Sequence, residues 1–135
     1  ETLGGDGLRF RDQRHGPGEW HHIPAFSVPI VRDAGGAGDW CTAGFLHRIA
    51  QHGQAGFDAA TSEEIREALR FGQALGAWNC AFEGARGGMY HVSRERARAD
   101  VLRLLAGERF DPGADIGPST HSAAGRFCPR CRGEP

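Results

Sequence analysis

The sequence contains no lysine, although it has 16 basic residues, so each of these side chains is an arginine. The absence of lysine excludes Schiff-base chemistry and a phosphate-binding lysine from this chain, because both require a primary amine. Phosphate bound here would be neutralised by arginine, backbone amides or metal ions. The formal net charge is only −1 at pH 7, which argues against nucleic-acid or membrane-surface partners held by bulk charge.

Long apolar runs are also missing from the sequence. No stretch approaches the roughly 20 apolar residues that a transmembrane helix needs, and the acidic, glycine-rich start does not resemble a signal peptide. We therefore expect a cytoplasmic protein. Cysteine is sparse, with four in 135 residues. Cys41 and Cys80 fall in predicted helices, where we expect buried thiols rather than disulfide partners.

Glycine, by contrast, is abundant, and the most informative stretch is the glycine-rich turn at residues 31–40. Glycines let the backbone approach a ligand closely, and the first amides of the following helix lack intrahelical acceptors. Such amides favour phosphate, while Asp39 on the first helical turn could accept a proton from a hydroxyl. The turn matches neither the Walker nor the dinucleotide pattern, so a plain strand-to-helix connection stays the alternative.

Strand signals occupy the first quarter of the chain. Asp6-Gly7 lies between apolar flanks within residues 1–11, which predicts a hairpin that opens a sheet. Residues 13–22 form a polar loop with three histidines, for which a solvated hairpin tip is favoured over a metal site. Residues 24–31 are then predicted to form an apolar strand that ends at the glycine turn.

Three helices are predicted from periodicity and capping signals. The first follows Gly38, and the second begins at a capping box in which Thr61 is the N-cap and Glu64 the third helical residue. Small residues on the apolar stripe of the second helix would permit close helix packing. Ser93 is the expected cap of the third helix, and Gly107 is its expected stop.

The last part of the chain, residues 108–135, is rich in glycine and proline and is predicted to lie outside the core. Cys128 and Cys131 within it form half of a zinc-knuckle pattern. A structural Zn²⁺ needs four ligands; His121 is a candidate for the third, and His91 or a residue beyond Pro135 for the fourth. The alternative is a tail with two free thiols, and a thioredoxin-like redox motif is less favoured.

Several separated segments occur in a recognisable order: residues 2–7, 23–31, 33–39, 43–46, 68–74 and 84–85. In this order, residues 2 to about 105 resemble the C-terminal part of the ribokinase-like (PfkB) carbohydrate kinases. For residues 1–107 the resemblance implies an α/β fold of the three-layer α/β/α ribokinase-like type, with a mostly parallel sheet and an antiparallel edge hairpin. It also implies that the sugar-binding half, with the Asn-x-x-Glu motif that organises Mg²⁺, precedes residue 1.

The resemblance implies roles for the glycine turn. Asp39 matches the catalytic base that deprotonates the sugar hydroxyl. Gly36, Ala37 and Gly38 match the anion hole over the transferred phosphate. These roles agree with the physical chemistry of the turn, because phosphoryl transfer needs positioning and donors aimed at developing charge.

The resemblance also implies binding residues for ATP and for a monovalent cation such as K⁺. Thr2, Gly4, Gly7 and Gln73 match positions that line the nucleotide, although Gln73 could equally be a solvated helix residue. Asp33 matches a side chain that helps to hold the cation, and Asn79 and Gly84 match positions that contribute backbone carbonyls to it. Two departures stand out, since Ala34 replaces a usual threonine and Trp40 replaces a small residue.

Two functions follow from the sequence. The first is the nucleotide-binding and base-bearing segment of an ATP-dependent sugar kinase that transfers the γ-phosphate to a sugar hydroxyl. The alternative is a non-catalytic module derived from the kinase fold, which binds nucleotide or protein and has a zinc-binding tail. The identity of the sugar cannot be read from these residues, and a homodimer is left open.

Overall fold

A computed structural model describes residues 1–14 and 16–113. Five helices and one small sheet make up this part of the chain. No helix in the two described segments is both long and apolar enough to cross a bilayer. The elements are β1 (Leu8–Phe10), β2 (His21–Ile23), α1 (Ala37–Ile49), α2 (Gly53–Ala59), α3 (Ser62–Cys80), α4 (Gly87–His91) and α5 (Arg94–Leu105), preceded by a 3₁₀ turn at Gly4–Asp6.

The hairpin predicted at the start of the chain is confirmed. Thr2 forms an antiparallel bridge with Leu8, the first residue of β1. β1 then pairs antiparallel with β2, where Leu8 lies opposite Ile23. Gly7 has a φ of 100°, and a Cβ at this position would lie 2.1 Å from the carbonyl oxygen of Ile23. Glycine is therefore required at this turn both for its backbone conformation and for space.

The prediction of a strand at residues 24–31 is wrong, because this segment has no strand pairing in the structure. A strand needs a neighbour that completes its hydrogen-bond ladder, and Pro24 and Pro29 lack an N–H to contribute to one. Phe26 and Val28 instead pack against the core around α3 and α5. Within the described residues the sheet is two-stranded and antiparallel, so the predicted mostly parallel, three-layer arrangement is not confirmed.

Helices α1 and α3 pack at very close range through glycines. A Cβ on Gly72 would lie 2.2 Å from the carbonyl oxygen of Cys41, and one on Gly76 would lie 2.6 Å from the carbonyl oxygen of Ala37. No residue with a side chain would fit at either position without moving a helix backbone. The predicted close packing through small residues is thus confirmed.

The three predicted helices are confirmed together with their caps. Thr61 Oγ1 accepts a hydrogen bond from the Glu64 amide at 3.2 Å, and the Glu64 carboxylate accepts one from the Thr61 amide at 2.7 Å. The bonds from Thr61 hold the pKa of Glu64 below its usual value. Ser93 caps α5, and Gly107 follows that helix with a φ of 79°. The short helices α2 and α4 were not predicted.

An arginine fastens the loop after β1 to the end of α2. Arg14 pairs with Asp12 at 2.7 Å and donates to the carbonyl oxygens of Phe57 and Ala60, each at 2.6 Å. Carbonyls at a helix C-terminus lack intrahelical donors, and the guanidinium supplies them. The Arg14 bonds in turn hold the pKa of the Asp12 carboxyl well below its usual range.

A second polar link is buried beside the core around α3 and α5. The Asp100 side chain is 1% exposed and accepts hydrogen bonds from Arg96 Nε at 2.8 Å and Trp78 Nε1 at 3.4 Å. Trp78 is itself 2% exposed. A buried carboxylate must be paired to be tolerated, and this pairing fixes the indole of Trp78 in place.

Candidate functional site

The glycine turn leads directly into α1, as the sequence predicts. Gly36 is the N-cap, with a φ of 74°, and α1 begins at Ala37. The Ala37 amide donates to the Ala34 carbonyl oxygen at 3.2 Å. Among the described residues, the amides of Gly36 and Gly38 bond to no acceptor. These two N–H groups therefore remain for a ligand at the positive end of α1.

Asp39 lies on the first turn of α1. The residue is exposed, and no residue in the described part of the chain donates a hydrogen bond to its carboxylate. No hydrogen-bond donor within that part of the chain therefore occupies this carboxylate. The structure leaves Asp39 open to a ligand approaching the glycine turn.

A cavity of about 410 Å³ lies between the hairpin and the facing surfaces of α1 and α3. We call it the hairpin cavity. Its walls come from residues far apart in the sequence, and among them are all four residues that the resemblance assigns to the nucleotide. The lining includes Thr2, Gly4, Gly7, Val31, Ala37, Gly38, Cys41, Gln73 and Cys80. The structure thus brings the predicted nucleotide residues together with two residues of the predicted anion hole.

Gln73 projects from α3 and contacts the hairpin strand. Its Nε2 donates to the carbonyl oxygen of Ile23 at 3.4 Å, while its Oε1 is buried without a partner in the described part of the chain. The Gln73 side chain is therefore half-buried and not a solvated surface residue. Its use by a nucleotide stays a prediction.

Two cysteines also line the hairpin cavity, which the sequence did not indicate. Cys41 and Cys80 are free thiols, as expected from their helical positions. Burial raises the pKa of both thiols, and for Cys80 the nearby Asp33 carboxylate raises it further. Both groups are accordingly neutral thiols near pH 7 rather than nucleophilic thiolates.

Outside the cavity, the glycine turn packs against the loop at residues 81–86, which we call the α3–α4 loop. Asp33 joins the two segments, because its Oδ1 accepts from the Gly35 amide at 2.7 Å and its Oδ2 accepts from the Gly84 amide at 3.0 Å. Asn79, in the last turn of α3, also bonds to the α3–α4 loop, because its Nδ2 donates to the Ala85 carbonyl oxygen at 3.2 Å. The three residues assigned to a cation are therefore neighbours, and their cation role stays a prediction.

Trp40 is turned away from the hairpin cavity and does not line it. Its Nε1 donates to the Ala85 carbonyl oxygen at 2.9 Å, and its ring meets that of Trp78 edge-on, with centroids 5.9 Å apart. Trp40 therefore leaves the cavity clear. No local sequence signal could have shown its contact with Ala85, because the two residues are 45 positions apart.

No group of three or more histidine, cysteine, aspartate or glutamate side chains that could hold a metal ion occurs within residues 1–14 and 16–113. His21 and His22, two of the three histidines predicted to lie in a loop, lie instead in strand β2. Cys128, Cys131 and His121 lie outside the described residues, so the Zn²⁺ prediction remains untested. The division between residues 1–107 and 108–135 is likewise untested.

The family model of the pfkB family carbohydrate kinases matches residues 2–91. This range covers both strands, α1 to α4, the hairpin cavity and the α3–α4 loop. The chain belongs to the pfkB family. Membership implies a ribokinase-like fold and a kinase type of activity, and it confirms the resemblance read from the sequence. No curated protein and no solved structure matches the chain.

Proposed function

We propose that this pfkB-family chain contains the nucleotide-binding and base-bearing part of an ATP-dependent sugar kinase. The observation that carries the proposal is the hairpin cavity, where Thr2, Gly7 and Gln73 share one space with Ala37 and Gly38. These residues come from the chain start, from α3 and from the first turn of α1. A nucleotide that spans from a base site to an anion site would use all of them.

The phosphates belong at the glycine turn. The amides of Gly36 and Gly38 have no acceptor among the described residues, and the dipole of α1 favours negative charge at the helix start. None of the described residues lining the cavity is an arginine, so backbone amides supply the direct contacts from this wall. The base lies at the other end, between the hairpin and Gln73.

Asp39 then acts as the general base. It accepts the proton of a sugar hydroxyl while that oxygen bonds to the γ-phosphorus, and the bond from the γ-phosphorus to the β–γ bridging oxygen breaks to release ADP. The turn amides stabilise the charge that develops on the transferred phosphoryl group. Mg²⁺ accompanies ATP in such kinases, and no group of three or more histidine, cysteine, aspartate or glutamate side chains among the described residues could hold it.

The test is Asp39→Asn in the natural protein that contains this sequence, assayed for ADP release over a panel of sugars. General bases contribute about 10²–10⁴ in rate, so we expect a loss in that range with ATP affinity retained. Asp58→Asn is the matched control, since Asp58 is an exposed residue of α2 whose carboxylate pairs with Gln54. An unchanged rate in Asp39→Asn would overturn the assignment, and ATP binding without any turnover in the parent protein would favour the non-catalytic alternative.

A further inference from the structure

We infer that Trp40 and Asn79 hold the α3–α4 loop against the glycine turn in place of the monovalent cation that the family resemblance implies there. The inference concerns the site of the proposed function and rests on it for the meaning of the turn. It makes Trp40 a positioning residue. It also predicts that the geometry of this site does not depend on K⁺.

The oxygens assigned to the cation are already bonded to N–H donors. Each carboxylate oxygen of Asp33 accepts an amide, one from Gly35 and one from Gly84. The carbonyl oxygen of Asn79 accepts from the Phe82 amide at 3.0 Å, and that of Gly84 accepts from the Gly87 amide at 2.9 Å. A cation needs oxygens that converge on one point, with no polarised hydrogens directed there. A cation here would have to share each of these four oxygens with an N–H donor.

The carbonyl of Ala85 shows most clearly that hydrogen bonds take the place of a cation. Its oxygen accepts two hydrogen bonds, from Trp40 Nε1 at 2.9 Å and from Asn79 Nδ2 at 3.2 Å. A carbonyl oxygen has two lone pairs, so both are used. The two donors come from α1 and from the end of α3, and together they fasten the loop to both helices. This is the linkage that a shared cation would otherwise provide.

The loop position matters for phosphate binding because the loop lies directly on the helix start. A Cβ on Gly36 would lie 2.8 Å from the Ala85 oxygen, so the loop packs directly against the N-cap of α1. The Trp40 ring is held in turn by its edge-on contact with Trp78, which is buried. Trp40 therefore sets the position of the amides that face the phosphates.

Amide hydrogen exchange followed by NMR on the ¹⁵N-labelled chain tests the inference without any nucleotide. The probes are the Gly35 and Gly84 amides and the indole N–H of Trp40, compared at equal concentrations of KCl and tetramethylammonium chloride. We expect the same exchange rates and the same Trp40 indole shift in both salts. Slower exchange at Gly35 and Gly84 in KCl, or a K⁺-specific shift of the indole signal, would overturn the inference.

The variant Trp40→Phe keeps an aromatic ring and removes the indole N–H. A hydrogen bond worth about 1 kcal/mol corresponds to roughly fivefold in a local opening equilibrium, so Gly84 and Gly35 should exchange about fivefold faster. Trp20→Phe is the matched control, because Trp20 is 51% exposed and stacks with Arg9. Unchanged Gly84 exchange in Trp40→Phe would refute the positioning role.

The two salts are compared on the unmodified chain, so that result stands even where a variant folds poorly. It also separates this inference from the proposed function. Absence of ATP binding would overturn the proposed function, whereas only the K⁺ response and the Trp40→Phe exchange rates decide whether N–H donors replace the cation.

Discussion

Gly72 on α3 faces the carbonyl oxygen of Cys41 on α1 so closely that a Cβ at residue 72 would lie 2.2 Å from that oxygen. This contact fixes the separation of the two helices that form one side of the hairpin cavity. Cys41 lines the cavity from α1, and Gly76 lines it from α3 one turn beyond Gly72. The packing of two glycine-bearing helix faces thus shapes the helical wall of the candidate site.

Replacing Gly72 with alanine should force the helices apart. Overpacking of a tight contact costs about 1–3 kcal/mol, and we expect the free energy of unfolding in urea to fall by that amount. Gly38→Ala is the control, because a Cβ there meets nothing within 4 Å, and its stability should stay within about 1 kcal/mol of the parent. Equal stability of Gly72→Ala and Gly38→Ala would contradict the packing described.

The capping box at the start of α3 gives a second prediction. Thr61→Ala removes the side-chain acceptor for the Glu64 amide and should cost about 1 kcal/mol of unfolding free energy. Thr42→Ala serves as the control within α1, where the Thr42 hydroxyl only bonds back to the Gly38 carbonyl. Chemical denaturation of both variants should therefore separate them, and a loss at Thr42 equal to that at Thr61 would argue against the cap.

The features predicted correctly from the sequence are those fixed by nearby residues. The caps at Thr61 and Ser93 and the turn at Gly7 each depend on side chains within a few positions, so a short pattern is enough. The family resemblance drew on several such segments in order. The sequence also placed the glycine turn at the start of a helix with Asp39 on its first turn, whereas their roles in phosphoryl transfer stay predictions.

The features that the sequence did not show depend on distant contacts. α4 begins with Gly87 and Gly88, poor helix formers, yet both are buried, and a Cβ at Gly88 would meet the Trp78 ring at 2.3 Å. The strand predicted at residues 24–31 had the right apolar character but lacks a pairing neighbour among the described residues. The bond from Trp40 to Ala85 likewise joins residues that no local pattern connects.

A fall in pH should weaken the ion pair between Arg14 and Asp12. The folded-state pKa of Asp12 is lowered by hydrogen bonds from Arg14 and then from Ser62, so the charged carboxylate stabilises the fold above its unfolded pKa of about 4. That contribution is lost as the pH falls through the lower folded-state pKa. The stability gap between the parent and Asp12→Asn, measured by denaturation from neutral to acidic pH, should be constant above about pH 4 and shrink below it. A gap that does not change with pH would contradict this.

The two cavity thiols provide a chemical probe of occupancy. Burial raises the pKa of Cys41 and Cys80, so both should react with a neutral maleimide more slowly than a free cysteine peptide in the same tube. ATP at about ten times its Kd should slow both further by about tenfold, by mass action, while the peptide is unaffected. Site-resolved mass spectrometry measures both rates. Labelling of Cys41 that ATP does not slow would place the nucleotide elsewhere.

The most direct test of the central claim is an ATP titration of the ¹⁵N-labelled chain, followed by the amide signals around the hairpin cavity. The account predicts progressive shifts at Gly38 and Gly7 and at the side-chain amide of Gln73. A second groove, lined by Arg48, Glu67 and Arg70, should stay unchanged and serves as the internal reference. Shifts confined to that groove, or no shift at Gly38 at saturating ATP, would contradict the claim that this cavity binds the nucleotide.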